Sequence, residues 1–410
     1  MTDLHAAKIS VPGSTRGARV YPLRTWRLVL EGLRNPAWRD LSAVPRHYAL
    51  SGSTCQHDHS LLRRHGDQAT RIRAAINPGF TRDSVEPWRA GVRARAGELA
   101  AGLQRGLGDA DLVTGFCEPL VAEAVAITTG LDGGQWAFLR ELTEAANALV
   151  LSPGDHATIG QGQEDLRAFC APVVARMRAE RGRAERAGRA PDPGLISRAV
   201  AALDRAGLDP AEVYGTLQPV FSGFPSAIPI LAAMAFEALC LPDVLDQCRD
   251  NPDLVPAAVW EHLRRNCHFP FALPGVNTHP IQAGPGVIPP GSVVVPMIAD
   301  AEHDQTRTPD PDRYDLHRRR RAILAFGAGV HVCPGKAWML MVLEEAARAL
   351  AQRQLRLAVT PGKVALQNGG LMPGMPARIP VRPANAVSPA GAVRPADAVR
   401  PPVSRTYPVH

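Results

Sequence analysis

Lysine is almost absent: only Lys8, Lys336 and Lys363 stand among 46 basic residues, so the formal charge of +7 rests on arginine. With alanine, proline and glycine also abundant, that bias reads as GC-rich coding and a soluble basic surface, and no nucleic-acid partner is expected. Paired cysteines are missing too. The seven, at 55, 117, 170, 240, 248, 267 and 333, are an odd number without a CxxC, which excludes a disulfide framework and suits a reducing, cytoplasmic location. The most apolar stretch, 227–236, is short for a bilayer, and residues 1–17 hold no apolar core for export, so no membrane partner is expected. No Gly/Ser linker divides the chain before residue 384. One domain is therefore expected over 1–383, followed by a low-complexity, disordered tail at 384–410 that repeats AVxPAxAVRP.

What is present is a globular composition, 45% apolar and 21% charged, in a chain long enough to enclose a cofactor-sized cavity. Helical patterns occupy 26–34, 83–107, 118–129, 134–151, 164–187, 256–265 and 336–354, whereas 268–298, rich in Pro, Gly and Val, suits short strands and turns. The fold class expected is mainly α with small β-sheets. A long apolar segment at 211–241 carries prolines at 219, 225 and 229, each costing an ordinary helix about 3 kcal/mol. So many breaks in a central segment call for a reason.

The stretch FGAGVHVCPGKAW, residues 326–338, sets one cysteine between glycines, directly before a helix. A helix start favours thiolate through its dipole and its backbone amides. Gly327, Gly329 and Gly335 would let backbone lie close against a flat ligand. A single sulfur without Cys or His at zinc spacing cannot complete a tetrahedral site, whereas a macrocycle bringing four equatorial ligands needs only one from the protein. The other reading of Cys333 is a small buried hydrophobe on a tight turn.

Phe326-Gly327-x-Gly329-x-His331-x-Cys333-x-Gly335 resembles the haem-binding loop of cytochrome P450, of the soluble bacterial type. The likeness extends along the chain. Glu261-His262-Leu263-Arg264 resembles the family's ExxR helix; residues 286–291, Asp304 and 309–315 resemble the strands and meander before the cysteine; Arg73, followed by Asn77-Pro78-Gly79-Phe80-Thr81, resembles the helix that gives an arginine to a haem propionate. The resemblance implies the P450 fold and haem b (iron protoporphyrin IX), with Cys333 as the iron ligand. It further implies Arg73 and His331 as propionate partners, Phe326 with Gly327, Gly329 and Gly335 as the loop around the cofactor, and Glu261 with Arg264 as a structural ion pair. A small-molecule substrate is implied, with electrons from ferredoxin and ferredoxin reductase docking near Lys336 and the run Arg318 to Arg321.

Departures from the family bear on mechanism. The helix over the haem reads Ser222-Gly223-Phe224-Pro225-Ser226-Ala227, placing Pro225 where the family has an acid and keeping the alcohol at Ser226. Ser226 is expected to relay protons through water beside the altered catalytic position Pro225. Ala69 and Gly275 stand where the family often has a histidine and a strand arginine for the propionates. Only about twenty-five residues precede Trp26, so the amino-terminal elements are expected to be reduced. Cys55, His57 and His59 alternate along one side of an extended loop and would meet a metal or a substrate, or serve as a plain polar loop. Phe221 and Phe224 would face substrate or pack in the core. Three functions follow: a P450 oxidoreductase tailoring a specialised metabolite; a haem enzyme using peroxide or catalysing a reaction other than monooxygenation; and a haem-free helper that activates a partner glycosyltransferase.

Overall fold

A computed structural model describes residues 20–384, apart from 42, 44–59, 63, 65, 106–109, 150–155, 191–193, 361, 367–371 and 373. Residues 1–19, where reduced elements are expected, and all of the expected tail beyond Ala384 lie outside that set. Helices dominate and the sheets are small, as the sequence patterns led one to expect. Trp26–Arg34 begins where the Thr25 hydroxyl accepts from the Leu28 amide and stops at Asn35, ahead of Pro36. It buries Val29, Gly32 and Leu33, one stripe at helical spacing. Glu118–Thr129 ends on left-handed Gly130, φ 69°, a conformation that glycine adopts without steric cost. The single helix expected at 83–107 is instead three pieces, Arg82–Val85, Glu86–Trp88 and Arg89–Arg105, because Pro87 has no amide to continue the ladder.

The apolar segment forms two helices, Pro210–Gly223 and Ala227–Cys240. Asp209 and Glu212 cap the first reciprocally. Between them the amides reach back only three residues, Phe224 to Phe221 at 3.2 Å, Ala227 to Phe224 at 3.0 Å and Ile228 to Pro225 at 3.1 Å, since Pro225 and Pro229 cannot make the longer bonds. Pro219 has a separate effect. It leaves the Gly215 carbonyl without its helical donor, and that oxygen accepts the Leu61 amide at 3.1 Å. Taken together, Pro210–Cys240 is long and apolar enough to cross a bilayer, contrary to the expectation from 227–236 alone, yet 67% of its most apolar window is buried inside the fold. Its apolarity serves the core.

Around this pair the main core gathers Arg89–Arg105, Glu118–Thr129, Val255–Arg265 and Lys336–Leu350. Val342 and Leu343, both fully buried, contribute about 1.5–3 kcal/mol each. Glu345 is fully buried on the same helix; burial would raise its carboxyl, but hydrogen bonds from Arg93 and Arg89 hold it below the usual range. One sheet pairs Val20–Leu23 parallel to Val293–Pro296, which pairs antiparallel to Gly275–Val276 with Gly275 opposite Val294. A bridge from Asp40 to Val276 extends that sheet by the segment after the first helix. A second three-stranded sheet joins Ala110–Asp111, Pro380–Pro383 and Leu357–Val359.

Candidate functional site

The cysteine loop is closed by its own backbone: the Cys333 amide donates to the Phe326 carbonyl at 2.8 Å and Gly327 donates to Leu324 at 2.7 Å. Gly327 and Gly329 take positive φ, 70° and 71°. The helix Lys336–Leu350 then starts at once, and the amides of Gly335 and Lys336 bond the sulfur. Even so, the thiol is pushed up: burial outweighs those amides and the nearby Arg73 and Lys336 cations. The helix-start amides favour thiolate, as expected, but do not offset burial. A cation bonded to sulfur would favour loss of the proton. Although protein surrounds Cys333, its side chain is accessible, bordering a cavity of about 350 Å³ with Arg73, Phe80 and Ala337.

The three loop glycines have separate reasons. A Cβ on Gly335 would lie 3.7 Å from the Cys333 sulfur, and one on Gly327 3.6 Å from the His331 carbonyl, both ordinary contacts. One on Gly329 would stand 2.6 Å from the Leu33 carbonyl and 3.0 Å from Arg34 Cα. Gly329 therefore makes room for the first helix, not for a flat ligand. Arg73, 5% exposed, donates from Nη2 to the Val332 carbonyl at 2.6 Å, which brings it to the loop as expected. Burial lowers its guanidinium pKa, with Cys333 opposing. His331 closes the turn Gly329–His331 and is half-buried.

Above the loop, Phe224 is buried and meets Trp338 edge-on, centroids 5.0 Å apart, while Phe221 is fully buried edge-on to Phe169 at 5.4 Å. Both belong to the core, the second of the two readings that the sequence left open, and not the substrate-facing one. Pro225 is buried, and the Ser226 hydroxyl donates to the Gly223 carbonyl at 2.6 Å. Gly223, in mid-segment, is exposed, and a Cβ there would meet nothing within 4 Å. His57 and His59, with Cys55, lie outside the described residues.

Glu261 and Arg264 pair as expected, and the network behind them contains a residue assigned elsewhere by the sequence. Arg318 donates to Glu261 at 3.1 Å and to the carbonyls of Pro309, Asp310 and Arg313. It is committed to the fold and not to a docking partner, while Arg319 and Arg320 are exposed. Lys336 Nζ lies 5.8 Å and 5.6 Å over the rings of Phe326 and Trp260. A buried polar chain escaped the sequence reading altogether: His262 Nδ1 is 2.6 Å from Glu237 and its Nε2 is 3.0 Å from His268, tying Ala227–Cys240 to Val255–Arg265. No composition or spacing signal marks it.

Among the described residues no three His, Cys, Asp or Glu side chains gather to hold a metal ion. One sulfur backed by two amides, with the buried Arg73 hydrogen-bonded to the same loop and a cavity bordering the sulfur, fits a planar macrocycle that brings its own equatorial ligands and acidic substituents.

A family model described as Cytochrome P450 matches residues 245–343, which include both the Glu261–Arg264 helix and the Cys333 loop. The chain is 31% identical over 304 residues to Cytochrome P450-SU2 of Streptomyces griseolus, covering 73% of this chain and 71% of that protein. It is 30% identical over 332 residues to Nocardicin C N-oxygenase of Nocardia uniformis subsp. tsuyamanensis, covering 78% and 79%. Among solved structures it is similar to HinD with NMFT and NO, at TM-score 0.76 and 25% identity over 89% of this chain and 90% of that one.

Proposed function

Because the chain belongs to the cytochrome P450 family of haem-thiolate oxidoreductases, we propose that it modifies a small molecule in a tailoring step of specialised-metabolite biosynthesis, with haem b as its cofactor. The observation that carries this reading is the closed 326–333 loop, which presents one sulfur to two helix-start amides. When bound, haem would supply redox chemistry at an iron made electron-rich by a thiolate ligand. Cys333 would give that sulfur, and Arg73 and His331 would hold the propionates. The relative that acts on nocardicin C, by its name, supports a specialised-metabolite substrate. We read the protein as soluble and cytoplasmic, with one catalytic domain over 1–383 followed by a low-complexity tail over 384–410. Ferredoxin, reduced by its reductase, would dock near Lys336 and the exposed Arg319, Arg320 and Arg321. The test is the absorption of the reduced protein under carbon monoxide: a red-shifted band in wild type should vanish in Cys333→Ala, and an unchanged band would overturn the assignment.

A second reading is favoured by Pro225 and Ser226. Proline offers no titrating group, and the Ser226 proton is held by the Gly223 carbonyl, so delivering it requires rotation of the hydroxyl and a water in its place. On this reading the enzyme uses peroxide or avoids monooxygenation. Turnover with peroxide but none with NAD(P)H, ferredoxin and reductase would support it; the reverse pattern would dispose of it.

A further inference from the structure

A second cavity, of about 320 Å³, opens where the helix Val255–Arg265 meets residues 307–323, and six arginines line it: Arg264, Arg307, Arg318, Arg319, Arg320 and Arg321. Two are already paired. Arg264 and Arg318 both bind Glu261. The other four have no carboxylate within ion-pair distance among the described residues. The remaining acids on the wall, Glu302 and Asp315, accept backbone amides instead, from Leu324 and His317, and the nearby Asp304 is occupied by the Trp26 amide and by Thr306.

Arg307 and Arg321 are held side by side. Arg307 Nη2 donates to the Ala322 carbonyl at 3.2 Å, Arg321 Nη1 donates to the Arg307 carbonyl at 3.2 Å, and the Arg307 guanidinium lies 3.9 Å over the Trp26 ring. Burial and the neighbouring Arg321 charge lower the Arg307 pKa, and its buried Nε has no acceptor among the described residues. Holding two cations together without a counter-charge is costly, and a cleft lined by one sign of charge concentrates the opposite ion. A buried N–H without an acceptor calls for a partner from outside the chain. Planar guanidinium forks match phosphate oxygens two at a time, and a volume at the lower end of small-molecule pockets has room for more than one phosphoryl group.

We propose that this cavity binds a small polyphosphate anion, held by Arg307 and Arg321 within and by the exposed Arg319 and Arg320 at the rim. It shares no lining residue with the cavity at Cys333, so the inference does not rest on the haem reading. One consequence does: the ferredoxin proposed above would meet the same exposed arginines, and an occupied cavity would compete with it for them.

The test is isothermal titration of the full-length protein with inorganic pyrophosphate, with inorganic phosphate for comparison. Pyrophosphate should bind about tenfold tighter than phosphate, since it engages more of the guanidinium forks. Arg307→Gln and Arg321→Gln should each weaken it about tenfold, because each removes a charge-assisted hydrogen bond. The control Arg183→Gln/Arg186→Gln removes two exposed charges from the end of the helix His156–Arg186 and should change the affinity by less than about twofold. Far-UV circular dichroism checks the fold, and Arg321→Gln, at an exposed position, decides the matter if Arg307→Gln misfolds. No heat beyond dilution on adding pyrophosphate to wild type would overturn the proposal. So would unchanged affinity in Arg321→Gln, or an equal loss in the control, which would make the binding a diffuse effect of net charge.

Discussion

Glu261 and Arg264 face each other one helical turn apart through two hydrogen bonds of 2.9 Å, with side chains only 3% and 4% exposed. Arg264 also donates to the carbonyls of Pro311 and Glu302, and Glu261 accepts from Arg318 and the Asp315 amide. One buried carboxylate thereby pins Val255–Arg265, Ile298–Glu302 and the meander leading to Cys333. Removing Arg264 leaves that charge buried with Arg318 alone, so Arg264→Met should cost about 3–5 kcal/mol of stability. Arg318, with a side chain 18% exposed, should cost about 1–2 kcal/mol on Arg318→Met. Urea unfolding of both variants checks the order, and equal losses would refute it.

Gly329 and Gly335 separate fold from ligand within one loop. Gly329→Ala combines a positive φ of 71° with the 2.6 Å approach to the Leu33 carbonyl, and should destabilise the chain by about 1–3 kcal/mol. Gly335 has an ordinary φ of −73° and room for a methyl 3.7 Å from sulfur. Gly335→Ala should leave stability within about 1 kcal/mol while lowering haem content, because the methyl stands beside the ligating atom. Urea midpoints and haem-to-protein ratios distinguish the two, and a loss of stability in Gly335→Ala matching that in Gly329→Ala would refute the division.

What could be read from the sequence was carried by local signals. Thr25 and Asn35-Pro36 bound the first helix by capping and by steric exclusion, and both act within a few residues. The glycine spacing around Cys333 is equally local. The orientation of Phe221 and Phe224 was not readable, because three prolines break the helical period that would assign each to a face. Arg318 resembles its basic neighbours in sequence, and only the distant Glu261 turns it inward. The helix start's pull toward thiolate is visible in the chain, whereas the opposing burial of Cys333 depends on the whole fold. Leu195–Arg205 and Pro242–Asp250 were passed over as helices, being 11 and 9 residues long; helices that short hold through packing more than through their own pattern.

Pro219 offers a direct check on why the apolar segment carries prolines. With no amide at 219, the Gly215 carbonyl is left for the Leu61 amide, and Leu61 is 4% exposed. Pro219→Ala restores a competing donor from within the helix. Hydrogen exchange at the Leu61 amide should then speed up about fivefold, corresponding to a hydrogen bond of about 1 kcal/mol. Unchanged exchange at Leu61 would show that its docking does not depend on the proline.

Glu302 is 2% exposed, and burial pushes its carboxyl up to about 7, against the opposing influence of the Leu324 amide, Arg264 and Arg307. The unfolded chain releases that proton near 4.5, the ordinary value for this group. Between these pH values the folded state retains a proton that the unfolded state has lost, so stability must fall as pH rises through the window and level off above about 7. The span corresponds to roughly 3 kcal/mol. Glu302→Gln keeps an oxygen for the Leu324 amide and carries no charge at any pH, so its profile should lack this descent. The variant should match wild type near pH 4.5 and exceed it in stability at pH 8. Urea midpoints at pH 5 and pH 8 measure the difference, and parallel profiles for the two proteins would show that Glu302 does not set the descent.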